Sequence, residues 1–108
     1  MKHVDNGPIR STFANDEDLK DLVSLYVVEL PSRMSAMREA LEASNIGEVR
    51  RLSHQLRGAS AGFGFAVIGH VAGEIEDAIK AAGLQADAIA KARPLVERLS
   101  AMCDRVAA

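Results

Sequence analysis

A chain of 108 residues with 48% hydrophobic content and a formal net charge of −2 has room for one domain with a buried core and not for two. Acidic and basic residues are interspersed, so no extended positive field suits DNA, RNA or an anionic membrane. Cys103 is the only cysteine, which excludes a disulfide framework and fits a small buried hydrophobe in a reducing cytoplasm.

Residues 1–12 hold Gly7-Pro8, show no periodicity and are expected to form an extended or flexible lead-in in which His3 is incidental. They lack the apolar core of a signal peptide, and no stretch approaches the length of a membrane span. A soluble, unexported, cytoplasmic protein is expected, and Met1 with natural-looking ends fits a free-standing one. Residues 13–108 then form a single helical domain. Asn15 is predicted to cap a first helix whose opening turn, Asp16, Glu17 and Asp18, places negative charge at the positive end of the dipole. Leu19, Leu22, Val23, Tyr26 and Leu30 are its apolar stripe. Pro31 is predicted to end or bend that helix and to start another, which turns Met34, Met37, Ala40 and Leu41 inward and runs out near Ser44.

Asn45 and Glu48 have the spacing of a capping box, opening a helix with Val49, Leu52, Leu56, Ala59 and Phe63 on its buried side. His54 falls off the edge of that stripe, with Arg50, Arg57 and Gly58 one turn away. In Gly62-Phe63-Gly64-Phe65 the glycines permit a tight reversal and the phenylalanines can plug the end of a bundle. A phosphate cradle is the weaker reading, because neither a preceding strand nor a Gly-Lys-Ser/Thr ending accompanies it. The next helix, about residues 66–82, should bury Ile68, Val71, Ile75 and Ile79 and cap on Gly83, while Gly69 and Gly73 suggest close approach by a neighbouring helix. The last segment, about residues 87–106, offers Ile89, Ala92, Val96, Leu99, Cys103 and Val106 as a stripe that Pro94 should kink or restart. With four aromatic residues and no tryptophan, the composition favours close helix packing over a sheet. The expected fold is all-α, an up-and-down antiparallel four-helix bundle with a kinked or additional N-terminal helix.

A glycine inside a helix costs about 1 kcal/mol relative to alanine, and at Gly58 the simplest cause is access for another protein's surface to the imidazole of His54. The run His54-Gln55-Leu56-Arg57-Gly58-Ala59-Ser60 resembles the His-x-Leu-Lys-Gly-Ser-Ser signature of the histidine-containing phosphotransfer (HPt) domains of two-component relays. The likeness continues through Phe63, Gly64, Ile68, Ala72, Ile75 and Glu76. Ala59 replaces the first serine of the signature, and Phe65 stands where alanine is usual.

A neutral imidazole is a competent nucleophile toward phosphorus, and the ordinary histidine pKa of about 6.5 leaves an exposed one mostly neutral at physiological pH. Phosphoryl transfer spreads charge over three equatorial oxygens, so positioning and positive charge do most of the work. The resemblance implies that His54 is phosphorylated on Nε2. It implies that Arg57 supplies charge in place of the family's lysine, with a planar guanidinium able to grip two oxygens. Glu76 would accept from Nδ1–H and so fix the tautomer, and Ser60 could hydrogen-bond locally or to the phosphoryl group. Arg50 and Arg51 could complement an acidic partner. His70, with Glu74 one turn on, reads as an exposed polar residue.

The expected partners are a response-regulator receiver domain or a hybrid sensor histidine kinase, with Mg²⁺ supplied by the receiver and the chain itself monomeric. No nucleotide-binding domain and no acidic receiver cluster fits in the chain, so a carrier is expected rather than an enzyme. The alternative is a non-phosphorylated interaction module that binds signalling partners. Two further readings are weaker. A sensor-kinase dimerisation region would need a Thr-Pro or similar pair where Gly58-Ala59 stands, and a metal or haem bundle using His3, His54, His70 and Cys103 lacks an inward Glu-x-x-His pair.

Overall fold

The computed structural model of the chain describes residues 7–107, and His3 lies outside the described residues. Four helices, α1 (Lys20–Glu42), α2 (Ile46–Gly62), α3 (Ala66–Ala81) and α4 (Gln85–Cys103), are flanked by two short strands, β1 (Ile9–Arg10) and β2 (Val106–Ala107). Each helix packs on the next and α1 closes the ring against α4. The result is the up-and-down antiparallel four-helix bundle expected from the sequence.

The expected break at Pro31 is absent: α1 runs through it without interruption. Val23, Tyr26, Leu30, Met34, Met37 and Leu41 are all buried, and their spacing stays in helical phase across the proline, so one continuous stripe holds both halves on the same core. Pro31 is exposed and Val27, whose carbonyl loses its partner, is only half-buried, leaving that carbonyl on the side water can reach. Leu22 of the predicted stripe is 46% exposed. Pro94 likewise sits inside an unbroken α4, exposed on the outer side. That helix ends at Cys103, and Val106 belongs to β2 instead of the apolar stripe. Pro31→Ala restores one backbone hydrogen bond, at about 3 kcal/mol of helix propensity, and gives back about 1 kcal/mol of unfolded-state entropy. A net gain of about 2 kcal/mol follows, read as a higher urea midpoint at unchanged slope.

The helix ends also differ from the sequence reading. Asn15 does not cap α1. The Asp16 carboxylate instead accepts the Asp18 N–H at 2.8 Å in a turn that precedes the helix, whose first residue follows Leu19 without a side-chain cap. At α2 the Asn45 side chain does accept from Glu48 N–H, at 3.3 Å. The reciprocal half of the box is missing, because Asn45 N–H is taken by the Ala40 carbonyl at 2.8 Å and the Glu48 carboxylate is held by Arg51.

Both α1 and α2 end in the same paired backbone closure. Ser44 N–H bonds Leu41 O at 3.0 Å and Asn45 N–H bonds Ala40 O, while Gly64 N–H bonds Ala61 O at 3.4 Å and Phe65 N–H bonds Ser60 O at 2.8 Å. Each closure needs a left-handed residue, Ser44 at φ 57° and Gly64 at φ 84°. Gly83 is not such a cap: α3 ends on an extended Ala82 and the chain runs on, still extended at Leu84, into α4.

The α2–α3 turn carries the aromatic plug. Phe65 is 1% exposed and stacks on Tyr26 with ring centroids 4.9 Å apart, and Phe63 approaches the same tyrosine at 5.8 Å. Residues 9–12, part of the expected lead-in, are tied across this turn. β1 pairs with β2 in parallel, Ile9 opposite Val106. Ser11 Oγ donates to Phe63 O at 2.6 Å, and Thr12 N–H bonds Gly64 O at 3.0 Å. A Cβ on Gly64 would run into Ser11 Oγ and lie 2.7 Å from Thr12 Oγ1, so this glycine serves the strap as well as the turn.

Candidate functional site

The buried side of α2 is Val49, Ser53, Leu56 and Ser60, rotated from the predicted stripe so that Leu52, Ala59 and Phe63 are only half-buried. Two serines enter the core because each has a partner. Ser53 Oγ donates to Val49 O at 2.7 Å, and Ser60 Oγ shares a 2.6 Å hydrogen bond with Tyr26 Oη. Burial pushes the Tyr26 hydroxyl up to about 12 against the opposing Ser60 bond, so both hydroxyls stay neutral and pin α1 to α2. Ser60 is fully buried in that pair, which removes it from any phosphoryl group on the outer face.

On the opposite side of α2 the His54 side chain is 73% exposed, and its Nδ1 lies 2.8 Å from Glu76 Oε2. The carboxylate reaches across from α3 and is itself 3% exposed. Arg57 Nη1 donates to the other oxygen, Oε1, at 3.3 Å, and Lys80 Nζ lies 3.5 Å from Oε2. One buried carboxylate therefore collects His54, Arg57 and Lys80. Burial alone would raise its pKa. The hydrogen bonds of His54 and Arg57 and the charges of His54 and Lys80 outweigh burial and hold it below the ordinary 4.5. An ionised Glu76 accepts and cannot donate, so a neutral His54 must carry its proton on Nδ1, leaving Nε2 as a lone pair.

The stability consequence has a definite sign. Because the folded value is lowered, Glu76 contributes its full stabilisation above pH 4.5 and loses it as pH falls through the lowered value. The melting-temperature difference between the native chain and Glu76→Gln should shrink as the buffer is taken below about pH 4.5.

Arg50, Arg51, Gly47, His54, Glu76 and Lys80 line an open groove of about 330 Å³ beside the imidazole. Arg50 is exposed there. Arg51 is gripped through Nε and Nη2 by the Glu48 carboxylate, both at 2.6 Å, an intrahelical pair that spends much of its charge locally. A Cβ on Gly58 would meet nothing within 4 Å, so the face one turn beyond His54 is open. Gly47 and Lys80 were missed by sequence reasoning. Their signals are weak: Gly47 lies seven residues before His54, on the same side of the helix, and Lys80 lies four after Glu76.

His70 offers a contrast. Its Nε2 lies 3.3 Å from Glu74 Oε1, and Arg98 approaches the same carboxylate at 3.5 Å. Glu74, however, is 35% exposed, so water competes for every bond there. Of these two histidines, His54 alone has a partner carboxylate covered from water. Among the described residues no group of three or more His, Cys, Asp or Glu could hold a metal ion, and no helix is long and apolar enough to cross a membrane. Burial, with a smaller contribution from Asp104, pushes the Cys103 thiol up to about 12, which keeps it protonated and inert.

A sequence model of the family described as Hpt domain matches residues 21–108, a span that takes in α1 from its second residue, α2 to α4 and every residue of this site. No curated protein and no solved structure matches the chain.

Proposed function

The chain belongs to the Hpt domain family, the phosphotransfer modules of two-component signalling, and from that premise we propose that it is a relay intermediate in which His54 takes a phosphoryl group from one aspartyl-phosphate receiver domain, or from a kinase, and passes it to another receiver. The observation that carries this reading is the 2.8 Å contact between His54 Nδ1 and a buried, ionised Glu76.

In the transfer, the Nε2 lone pair forms a bond to phosphorus as the bond from phosphorus to the aspartyl oxygen breaks and the carboxylate leaves with its electron pair. No proton has to move. Nδ1–H remains donated to Glu76, and the positive charge the ring acquires is opposed by the carboxylate at 2.8 Å. Arg57 supplies charge for the phosphoryl oxygens, and a bond from Nη1 alone to Glu76 leaves its other donors for them. The open surface at Gly58 admits the donor domain, the exposed Arg50 meets its acidic surface, and Mg²⁺ comes with the receiver. A monomer in the cytoplasm suits such a carrier.

The test is incubation with a phosphorylated receiver domain in Mg²⁺, followed by the chemical stability of the label. Base-stable, acid-labile phosphate on the chain is expected. Binding of several receivers with no label on any of them would replace the relay by a non-phosphorylated interaction module.

A further inference from the structure

Gly69 and Gly73 stand one turn apart on α3 and both face α2, for different physical reasons. A Cβ on Gly69 would lie 3.1 Å from the Arg57 carbonyl oxygen and 3.5 Å from Ala61 N and Ser60 Cβ. That glycine lets two helix backbones approach, as the sequence suggested. A Cβ on Gly73 would have side-chain atoms as its three nearest neighbours across the interface. It would lie 3.1 Å from Nε and 3.3 Å from both Cδ and Cζ of Arg57. The arginine side chain therefore lies against α3 over Gly73, and from there Nη1 reaches Glu76 Oε1 at 3.3 Å and Asp77 Oδ1 at 3.9 Å.

We infer that Gly73 is a positioning residue of the phosphoryl site, a seat that holds the Arg57 guanidinium on one oxygen of Glu76 and so leaves the other oxygen to His54 and Lys80. With no side chain at Gly73 the planar guanidinium of Arg57 lies directly against the helix, and a lysine has no such planar head. Arg57 in place of the family's lysine and a glycine in the middle of α3 are thus two parts of one device. The seat also accounts for a glycine at a buried place in a helix where alanine would favour the helix more. Its effect on transfer presupposes the relay reading; the seat itself does not.

Gly73→Ala tests it. The atoms nearest the new methyl belong to a flexible side chain, so the variant should melt at or above the native temperature while displacing Arg57. With Arg57 moved, the Glu76 carboxyl, followed by carbon NMR in the unphosphorylated protein, should titrate at higher pH, as it should in Arg57→Ala, with His54, Asp77 and Lys80 unchanged around it. Transfer from a phosphorylated receiver should slow by about threefold to tenfold. In an Arg57→Ala background the same glycine substitution should shift neither readout, because nothing remains to be seated. A Glu76 titration that Gly73→Ala leaves in place would overturn the seat, as would an equal loss of transfer in both backgrounds or a variant that melts well below the native chain. If the native chain accepts no phosphate at all, the relay reading falls while the carboxyl titration still decides the role of Gly73.

Discussion

His54→Gln should reduce phosphoryl acceptance by at least about 10³-fold, to the background of the assay. An amide nitrogen has its lone pair delocalised into the carbonyl, so glutamine offers no nucleophile where the imidazole had Nε2. The fold should not be the reason for the loss. The His54 side chain is 73% exposed, and removing it leaves Glu76 still paired with Arg57 and Lys80, so the unfolding free energy should change by no more than a surface substitution allows, about 0.5 kcal/mol. The comparison is made with one phosphorylated receiver, one Mg²⁺ concentration and both proteins at equal amount. Label retained on His54→Gln would move the acceptor elsewhere, with His70 the first residue to replace next.

Removing the carboxylate should slow transfer while leaving the nucleophile in place. Glu76→Gln keeps an oxygen that can accept from Nδ1–H but loses the charge that opposes a positive ring, and a loss of about tenfold is expected; Glu76→Ala loses both and should cost about 10²-fold. Nitrogen NMR of the imidazole separates orientation from charge. The proton should stay on Nδ1 in Glu76→Gln and spread over both nitrogens in Glu76→Ala. Stability should fall as well, because His54, Arg57 and Lys80 would then share a corner whose nearest anion is the exposed Asp77, 3.9 Å from Arg57. The cost should be about 1–2 kcal/mol, below the 3–5 kcal/mol of a fully buried pair, since Arg57 and Lys80 are 51% and 48% exposed and water screens them. A Glu76→Ala protein that accepts phosphate at the native rate would leave the carboxylate a purely structural role.

Much of the site could be read from residues close together in the chain. His54, Arg57 and Gly58 share one helix, so their relative placement follows from 100° per residue whatever the helix packs against. Glu76 is harder. Its polarity and its neighbours Asp77 and Lys80 suit a solvated helix residue, and only the family resemblance pointed to the imidazole 22 residues away in sequence. The continuity of α1 was legible too, since Leu30 and Met34 keep the stripe in phase across Pro31. A local rule about proline obscured it, and burial of both halves against one core outweighed that rule.

The sequence by itself determined the all-α class, the short connections between helices, the polar outer face of α2 and the family to which the chain belongs. Each depends on short-range periodicity or on residue types at fixed spacing. Only the tertiary structure decided which way each helix is turned and how closely it approaches its neighbour. That rotation puts Ser53 and Ser60 in the core, and it ties residues 9–12 to the α2–α3 turn. It also buries Glu76 beneath His54 and lays Arg57 over Gly73. A glycine or a serine carries no local mark of what will stand against it, because its partner is fixed by side chains packing from another helix, to a few tenths of an ångström.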